Sequence, residues 1–492
     1  MHMPITASML YDIVACPHRP TMDLYGNPAE RDPISPFVQL LWERGVIHER
    51  ETIAGLKIPY LDLSLYRDEE KEQITAEAMA RGEPLIYSGR MQAGDLLGVP
   101  DLLRREGKGY IPGDIKSGAG LEGPDDDKSP KEHYGVQLAL YVDILERKGL
   151  SAGRRGFIWD IHGQEVPYDL MTPLGPRTPR TLWDSYQGCL GIARGIVART
   201  EVTTPANAAP CKLCHWRSAC LHRLQQVDDL TLIPELGRSR RDAMTARVAT
   251  VRQLASADLA QFIQGKRTIF PRIGPDSLEK FQRRARLLTN PNGLPYLREP
   301  VTFPMAEREI FFDVEFDPFG GMCYLHGFLE RCQGQPERYL PFFAEAPTPA
   351  AEEAAFKAAW AYLQTSRPWV IYYYSKYERT IWRQLRERYP GVCNDTELER
   401  LFDPAEAVDL YFDVILPRSE WPTHDFSIKT LATYLGFTWR DPEPSGAASI
   451  EWYHRWIETG DPPVRQRILE YNEDDCRAIR VLLDGIRQLQ NR

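Results

Sequence analysis

Two sets of acidic residues, far apart in the chain, have types and spacings suited to the hydrolysis of phosphodiester bonds. They are Pro100-Asp101 with Asp114-Ile115-Lys116, and Asp313-Val314-Glu315 with Tyr471 and Asp475. Clustered carboxylates repel one another unless positive charge neutralises them. A pair of hard divalent ions does this and also binds both the attacking and the leaving oxygen of a phosphate. The sequence therefore predicts two metal-dependent centres that cleave phosphodiester bonds.

The first set needs a β-hairpin that brings its members together. Residues 102–111 form two apolar-containing arms about Gly107, a pattern typical of a hairpin. Such a hairpin places Asp101 opposite Asp114. Because Asp114 and Lys116 are two residues apart in a strand, they point to the same face. The two carboxylates can then bind a divalent ion, while Lys116 steadies the phosphate or the attacking water.

Two predicted helices flank this hairpin. Residues 131–148 have a helical pattern, and Gln137 and Tyr141, four residues apart, share one face of that helix. Residues 36–56 are also helical, and His48 lies on their apolar stripe. A lone histidine on such a stripe is more commonly a packed core residue than a metal ligand. On the residues alone, both roles stay open for it.

The order of these motifs resembles that of the RecB-like nucleases of the PD-(D/E)XK superfamily. The order is His48, Pro100-Asp101, Asp114-x-Lys116 and Gln137-x-x-x-Tyr141. The resemblance implies that the metal ligands are His48, Asp101 and Asp114. It implies that Lys116 is the catalytic lysine, and that Gln137 and Tyr141 contact the substrate or the site. It also implies an α/β domain of the restriction-endonuclease-like fold, which we place at residues 1–225.

The chain has nine cysteines, which we expect to be reduced thiols in a cytosolic protein. Cys211, Cys214 and Cys220 form a C-x2-C-x5-C motif, and Cys16 lies at the far end of the same predicted domain. A C-x2-C turn is typical of a metal site but does not identify the metal. Two histidines beside the motif keep a zinc site open on the residues alone, namely His215 and His222.

This cysteine layout resembles that of an iron–sulfur subgroup of the RecB-like nucleases, which includes AddB and the CRISPR-associated RecB-like nucleases. The resemblance implies a 4Fe–4S cluster bound by Cys16, Cys211, Cys214 and Cys220. The cluster would join the two ends of the domain and would be structural, because phosphodiester cleavage needs no electron transfer. Zinc is the alternative cofactor. Four other cysteines have no partner at a motif spacing, namely Cys189, Cys323, Cys332 and Cys393.

The second acidic set combines a strand and a helix. Residues 310–316 alternate as a strand, with Asp313 and Glu315 on one face and apolar side chains on the other. Residues 465–489 are helical, and Asp475 lies on their apolar stripe. A carboxylate on an apolar stripe needs a partner, and a metal ion is suited to that role. We expect the other polar residues of this helix to form a solvated face, namely Glu473, Asp474, Arg477 and Arg480.

This strand and helix resemble those of the DEDD exonucleases of the RNase H-like fold, in the variant with Y-x3-D on the last helix. The resemblance implies three metal ligands and a tyrosine that orients the attacking water, namely Asp313, Glu315, Asp475 and Tyr471. Glu378 would supply the central acid, where aspartate is usual; glutamate occurs there in the YprB-like branch. Asp409 and Lys429 are auxiliary candidates, and a helix cap is an equally good interpretation of Asp409.

Residues 231–290 are basic although the whole chain is acidic. Twelve Lys and Arg residues against five Asp and Glu residues give this segment a charge of +7, whereas the chain carries −9. Two turns of the segment, each ahead of a helical pattern, resemble helix-hairpin-helix elements, which hold the nucleic-acid backbone through main-chain amides and arginines. The candidate contacts are Gly237, Arg238, Arg240, Arg241 and Gly274. A solvated basic linker is the alternative interpretation.

Length and composition limit the remaining classes of protein. A chain of 492 residues is too long for one core. We therefore expect a nuclease domain at 1–225, a small helical helix-hairpin-helix domain at 226–295 and an RNase H-like domain at 296–492. The sequence contains neither an apolar run of membrane-spanning length nor a secretory signal pattern, which favours a cytoplasmic protein without a membrane partner.

The leading hypothesis is an exonuclease that uses Mg2+ or Mn2+ to degrade single-stranded DNA ends in repair, recombination or defence. A helicase or repair protein is the expected partner, because relatives are sometimes joined to helicases. Two alternatives stay open. One is a nucleic-acid-binding adaptor with one or both centres inactive, and the other is an RNA-processing exonuclease.

Overall fold

The chain folds into two compact units, each of which is described by itself. The computed structural model describes residues 3–123, 128–175, 178–365 and 367–491. The first unit comprises Met1–Pro205 and Ala209–Arg223, and the second comprises Ala206–Ala208 and Leu224–Arg492. In this division the predicted middle part, residues 226–295, lies within the second unit. Across the described residues, no helix combines the length and the apolar character that crossing a membrane requires.

The first unit contains a mixed sheet and the helices that cover it. Its helices are α1 (Ala7–Ala15), α2 (His18–Tyr25), α3 (Pro36–Ala54), α4 (Asp68–Arg81), α5 (Glu132–Arg147), α6 (Leu182–Val197) and α7 (Arg217–Gln226), within which the division falls. Its strands are β1 (Ile5–Thr6), β2 (Leu61–Asp62), β3 (Leu85–Tyr87), β4 (Met91–Ala93), β5 (Leu96–Gly98), β6 (Leu102–Glu106), β7 (Gly109–Ile115), β8 (Leu121–Glu122), β9 (Ser129–Pro130), β10 (Arg155–Trp159), β11 (Glu165–Asp169), β12 (Pro173–Gly175) and β13 (Thr178–Thr181). The main sheet has six strands in the order β11–β10–β7–β6–β3–β2.

Strands β6 and β7 form the predicted hairpin. Gly107 makes the turn at a φ of 61°, where glycine is free of the strain that other residues incur. Leu102 pairs with Gly113, so Asp101 and Asp114 come together at one end of the hairpin. On its other side β7 pairs in parallel with β10, and all seven residues of β7 are buried. The hairpin prediction is confirmed, and it places the acidic residues at the edge of a rigid core.

Helix α5 supplies the core that supports this hairpin. It is buried continuously from Gly135 to Leu145, as expected for a helix that is packed on every side. Helices α1 and α6 and strand β7 contact it. Helix α6 begins with a capping box in which Thr181 and Asp184 satisfy each other's backbone amides. The helices predicted at 36–56 and 131–148 are confirmed as α3 and α5.

The second unit contains a five-stranded sheet with helices on both faces. Its helices are α8 (Gly237–Met244), α9 (Val251–Ser256), α10 (Pro275–Thr289), α11 (Pro349–Thr365), α12 (Tyr377–Arg388), α13 (Asp395–Leu401), α14 (Leu416–Arg418), α15 (Ile428–Tyr434), α16 (Gly446–Thr459) and α17 (Pro462–Gln490). Its strands are β14 (Ile263–Gln264), β15 (Arg267–Thr268), β16 (Tyr296–Leu297), β17 (Arg308–Asp317), β18 (Met322–Cys332), β19 (Arg338–Phe343), β20 (Val370–Tyr373), β21 (Ala407–Asp409) and β22 (Ser419–Glu420). The main sheet has the order β19–β18–β17–β20–β21.

Strand β17 is the centre of this sheet and carries the second acidic pair. It runs antiparallel to β18 and parallel to β20. Its two faces pack into different cores, because side chains alternate along a strand. Phe312 and Val314 pack with Trp382 in one core, while Phe311 packs with Ile479 of α17 in the other. The acids share the face of Phe311, which is the face that α17 covers.

A buried ion pair between Arg284 and Glu420 joins helix α10 to strand β22 in the second unit. The Nε atom of Arg284 donates to Glu420 Oε2 at 2.9 Å, and both side chains are only 1% exposed. The same guanidinium donates to the Pro234 carbonyl at 3.0 Å and to Glu235 Oε2 at 2.6 Å. Charges buried to this degree are stable only when they are paired and hydrogen-bonded.

We expect Arg284→Met to lower the free energy of unfolding of the full chain by about 3 kcal/mol. The buried Glu420 carboxylate loses its shortest ion pair and keeps only the longer contacts with Arg283 at 3.6 Å and Arg298 at 3.7 Å. Denaturant unfolding followed by circular dichroism measures the change. Arg252→Met, at an exposed position of α9, is the matched control and should change stability by less than about 0.5 kcal/mol. Equal effects of the two changes would show that the buried pair is not needed for stability.

Candidate active sites

Three carboxylates meet where β17 faces α17 in the second unit. One oxygen each from Asp313, Glu315 and Asp475 lies within 4.8 Å of the other two. Burial raises the pKa of Asp313 well above its usual range, and the nearby Asp475 and Glu315 carboxylates add to the effect. Burial, again with Asp475 nearby, raises the pKa of Glu315 to about 8. Such a cluster is costly without a positive partner, so its geometry and its electrostatics both suit a divalent cation.

Asn472 joins two of these acids and was missed in the sequence. Its Nδ2 atom donates to Asp313 Oδ2 at 2.7 Å and lies 3.5 Å from Glu315 Oε1. Its Oδ1 atom accepts a hydrogen bond of 2.8 Å from the Tyr339 hydroxyl. Asn472 is fully buried on α17, three residues before Asp475. The only signal available in the sequence was an amide within the motif, which by itself does not distinguish a site residue from a surface residue.

Gly327 provides the space that Asn472 occupies. It lies directly opposite Asp313 in the β17–β18 pairing. A Cβ atom added to Gly327 would overlap Asn472 Oδ1 and would also lie 3.2 Å from the Tyr339 ring. The strand can therefore carry only glycine at this position while the asparagine holds Asp313.

Lys429 and Trp439 both donate to Asp475. The Lys429 ammonium lies 3.1 Å from Asp475 Oδ1, 3.4 Å from Oδ2 and 2.9 Å from the Tyr471 hydroxyl oxygen. Trp439 Nε1 donates to Asp475 Oδ1 at 2.7 Å. The position of Asp475 on an apolar stripe is confirmed, since Ile468 and Ile479 are buried beside it on α17.

Glu378 lies at the start of α12 and is buried, with its Oε2 atom lacking a hydrogen-bond partner among the described residues. Burial raises its pKa well above the usual range, and the Asp409 and Asp475 carboxylates contribute. Asp409 itself accepts hydrogen bonds of 3.0 Å, 3.0 Å and 3.1 Å from the backbone amides of Ser375, Tyr411 and Phe412. Its contacts are those of a cap, as the alternative interpretation predicted.

The solvated face predicted for α17 is wrong. Asp474 is only 4% exposed, and its carboxylate accepts from the backbone amide of Arg440 at 2.8 Å and from the Arg440 Nε atom at 3.0 Å. Glu473 pairs with Arg440 and Arg477, and Arg480 lies 3.1 Å from Glu337. Residues remote in sequence cover this side of the helix. A helical wheel gives only the direction of a side chain, so it could not predict that cover.

The first centre is built at the end of the β6–β7 hairpin. Asp101 Oδ2 accepts a hydrogen bond of 2.7 Å from the Ile115 amide, and the Lys116 ammonium lies 2.9 Å from Asp114 Oδ2. Burial, together with the Asp114 carboxylate, raises the pKa of Asp101 to about 8. Burial disfavours the charged form of Lys116, but Asp114 and Asp101 outweigh it and raise the Lys116 pKa above its usual range. The structure thus brings together both acids and the lysine.

The remaining predicted residues of the first centre come from α3 and α5. Among the described residues, His48 Nε2 and Gln137 Oε1 are buried atoms without a hydrogen-bond partner. The Tyr141 hydroxyl donates to the Val99 carbonyl at 3.4 Å. Burial raises the Tyr141 pKa well above its usual range, and Asp114 and Asp101 contribute, which places this ring near the acids. Buried polar atoms left without a partner are costly, so these two atoms are available to water or to a ligand.

Two further residues at the first centre were missed in the sequence. Glu49, next to His48, accepts from the Tyr87 hydroxyl at 2.8 Å and acts electrostatically on Asp101. The Tyr134 ring lies 5.6 Å from the Lys116 ammonium. Neither has a motif spacing of its own, so only the folded hairpin and its neighbouring helices reveal them.

The four motif cysteines lie close enough to influence one another. Burial raises the pKa of the Cys220 thiol to about 12, and the neighbouring thiols of Cys214, Cys16 and Cys211 contribute to the shift. Burial also raises the pKa of Cys214. No disulfide joins the nine cysteines, all of which lie in the described part of the chain. The four thiols therefore share one neighbourhood, but among the described residues the ligand atoms that meet within 4.8 Å are those of Asp313, Glu315 and Asp475 and not those of the cysteines.

One of the two histidines that kept a zinc site open, His215, is hydrogen-bonded to a carboxylate. His215 Nε2 lies 2.7 Å from Asp23 Oδ1, and Trp216 Nε1 donates to the same oxygen at 2.8 Å. Arg31 Nη2 also lies 3.5 Å from this carboxylate atom. His215 therefore takes part in a separate polar network.

The two predicted backbone-binding turns each precede a helix. Helix α8 begins at Gly237, which has a φ of 70°, and Gly274 is the N-cap of α10. Arg240 Nη1 donates to the Glu235 carbonyl at 2.6 Å. Arg241 is only 5% exposed, and its Nη1 atom donates to Asp229 Oδ2 at 3.0 Å. A buried, ion-paired guanidinium cannot reach a nucleic acid, so the contact expected of Arg241 does not fit this structure.

Comparisons with protein families agree with these two centres. Residues 35–221 match a family model of the PD-(D/E)XK nuclease superfamily, and residues 310–486 match a family model of the RNase_H superfamily. The chain therefore has a PD-(D/E)XK domain and an RNase H-like domain, which confirms the predicted α/β fold class. Both domains indicate a nuclease, a hydrolase whose substrate is a nucleic acid, and the acidic cluster supports its dependence on divalent metal. A search of curated proteins finds no significant match.

We expect Gly327→Ala to lower the metal affinity of the second centre by about 10–100-fold, the usual effect of losing a residue that orients a metal ligand. The added methyl group displaces Asn472, which frees Asp313. Isothermal titration with Mn2+ measures the affinity, and Gly391→Ala, where an added Cβ meets no atom within 4 Å, is the control. Unchanged affinity in Gly327→Ala would refute the orienting role of Asn472.

Proposed function

We propose that this protein is a metal-dependent exonuclease with two hydrolytic centres, which degrades DNA from single-stranded ends in repair, recombination or defence. The observation that carries the proposal is the convergence of Asp313, Glu315 and Asp475 within 4.8 Å. These carboxylates would hold Mg2+ or Mn2+, which when bound stabilises the charge of the attacked phosphate. We place the protein in the cytoplasm, with a helicase or repair protein as partner.

At the second centre, the residues of the chain divide the work of hydrolysis. Asp313 and Glu315 are presented by a strand that is buried on both faces, so their positions are fixed before substrate binds. Tyr471 places its hydroxyl beside Asp475 and Lys429, where it can orient the attacking water. Glu378 contributes the fourth carboxylate from α12, with one oxygen still unpartnered among the described residues. These groups thus come from strand β17 and from helices α12, α15 and α17.

At the first centre, Lys116 is the residue that can steady the phosphate. Its ammonium stays charged beside Asp114 and Asp101, and 22% of its side chain is exposed. Asp101, Asp114 and His48 would hold a divalent ion. Gln137 and Tyr141 line the site from α5, and the unpartnered Gln137 oxygen is available to the substrate or to water.

The cysteines of the first unit would hold a 4Fe–4S cluster. Cys16, Cys211, Cys214 and Cys220 come from the two ends of the domain, and their thiols act on one another electrostatically. We favour an all-cysteine cluster over a zinc site because the four cysteines alone complete its ligand set, and because Asp23 already engages the Nε2 atom of His215. The role of the cluster would be to hold those ends together.

The basic segment would bind the backbone of the DNA. Gly237 and Gly274 stand at the starts of α8 and α10, where backbone amides point outward and attract phosphate. Arg238 and Arg240 add charge near the first turn. Contacts of this kind recognise no base sequence, as an exonuclease that moves along a strand requires.

Purified protein incubated with end-labelled single- and double-stranded DNA and RNA, with Mg2+ or Mn2+, tests the proposed activity. Release of nucleotides from single-stranded DNA ends, lost on chelation of the metal, is the expected result. Preferential degradation of RNA, or the absence of any cleavage, would refute the choice of substrate or of function.

We expect the two centres to be separable. Each uses residues of one unit only, and mutations at independent sites have additive effects. Asp114→Ala and Lys116→Ala should each abolish one activity, by at least about 100-fold, and leave the other intact. Asp313→Ala should do the reverse in the same cleavage assays. Loss of all cleavage with any one change would instead indicate a single composite active site.

We expect anaerobically purified protein to be brown and to contain iron, because Cys16, Cys211, Cys214 and Cys220 would supply four thiolates to a cluster. Visible absorption and metal analysis check this, and a colourless protein with stoichiometric zinc would contradict it. Cys211→Ser should lose the iron and unfold at lower temperature. Cys189→Ser, at a half-buried cysteine outside the motif, should keep both iron and stability.

A further inference from the structure

The second centre contains a lysine that faces both its predicted metal ligand and its predicted water-orienting tyrosine. The Lys429 ammonium lies within 3.4 Å of both oxygens of Asp475 and 2.9 Å from the Tyr471 hydroxyl oxygen. An ammonium group has three hydrogens to donate and no lone pair. The three contacts therefore make Lys429 the donor to Asp475 and to Tyr471 together.

The surroundings hold this ammonium in place. It lies 5.1 Å from the centre of the Trp439 ring and 4.8 Å from the centre of the Tyr471 ring, within the range of cation–π attraction. Trp439 Nε1 donates to the same Asp475 oxygen at 2.7 Å. Ser427 caps the short helix α15 that carries Lys429. Two aromatic rings and an anchored carboxylate thus limit the rotamers of this long side chain.

The direction of the Tyr471 O–H bond depends on the contact between its oxygen and the Lys429 ammonium. A phenol oxygen that accepts from an ammonium cannot direct its own hydrogen toward that donor. The hydrogen and the remaining lone pair of the hydroxyl are then oriented relative to Asp475. A neutral side chain at position 429 would remove the donor to the hydroxyl oxygen and leave the hydroxyl only its contact with Asp475, although the carboxylates would be unchanged.

We propose that Lys429 is a positioning residue of this centre, which holds the Tyr471 hydroxyl and the Asp475 carboxylate in the relative orientation that the attacking water requires. This inference rests on the proposed exonuclease function. It assigns to Lys429 an effect on turnover that passes through Tyr471, rather than a role in binding metal or in binding the substrate phosphate.

A double-mutant cycle tests the inference in the full chain with Asp114→Ala, so that only the second centre is measured. Lys429→Met, Tyr471→Phe and the double change are compared for kcat and KM on end-labelled single-stranded DNA. We expect each single change to lower kcat by about 10–100-fold with KM little changed. The double change should be no more than about 3-fold worse than the more damaged single variant, because both act through one hydroxyl.

Mn2+ titration separates positioning from metal binding. Lys429→Met removes a cation that competes for Asp475, so its affinity for Mn2+ should equal or exceed that of the parent while turnover falls. Lys429→Arg should recover part of kcat because it restores a charged donor. Lys357→Met, at an exposed lysine of α11, should leave both quantities unchanged. Thermal melting confirms that every variant is folded.

Three results would overturn the inference. The first is a double variant in which the losses of kcat from the two single changes multiply. The second is a rise in KM without a fall in kcat, and the third is weaker Mn2+ binding in Lys429→Met. Absence of cleavage and of Mn2+ binding at this centre in the Asp114→Ala parent would instead refute the proposed function itself, which keeps the two failures distinguishable.

Discussion

Carboxylates buried beside one another must have a positive or hydrogen-bonding partner, and the rest of this structure depends on meeting that requirement. In the first unit, the Lys116 ammonium lies 2.9 Å from Asp114 Oδ2. Asp114 belongs to strand β7, in which every residue is buried. In the second unit, the ammonium of Lys429 and the indole of Trp439 both donate to Asp475. Each centre therefore holds its acids together with permanent donors of the chain, which leaves a cluster that a divalent cation can complete.

The two centres bring their acidic residues together with different secondary-structure elements. In the first centre, Asp101 immediately precedes strand β6 and Asp114 lies on strand β7, so a local turn at Gly107 is enough to bring them together. The second takes Asp313 from a central strand and Asp475 from a helix near the end of the chain. A contact between residues so far apart in sequence needs packing on both faces of the sheet. Trp382 belongs to the core on one face, and Ile479 belongs to the core on the other. Rigid support of this kind keeps catalytic groups in place without substrate.

Local patterns predicted what depends on local geometry. The hairpin about Gly107, the helices α3 and α5 and the apolar stripe that carries Asp475 all follow from spacing, because strand and helix periods fix the direction of a side chain. The environment of Asp474 does not follow from spacing, since its partner Arg440 comes from a separate loop. Asn472 was missed for a related reason. Its role depends on strand β18, which no feature of the helix sequence indicates.

Gly327 has a consequence for how this chain can change over evolutionary time. As long as Asn472 braces Asp313, natural selection on the second centre also acts on a glycine that carries no functional group and lies on a neighbouring strand. A lineage that gives up cleavage at this centre is released from that restriction. A side chain at position 327 in a descendant sequence would therefore record the loss of the centre even where the aspartates and the glutamate persist.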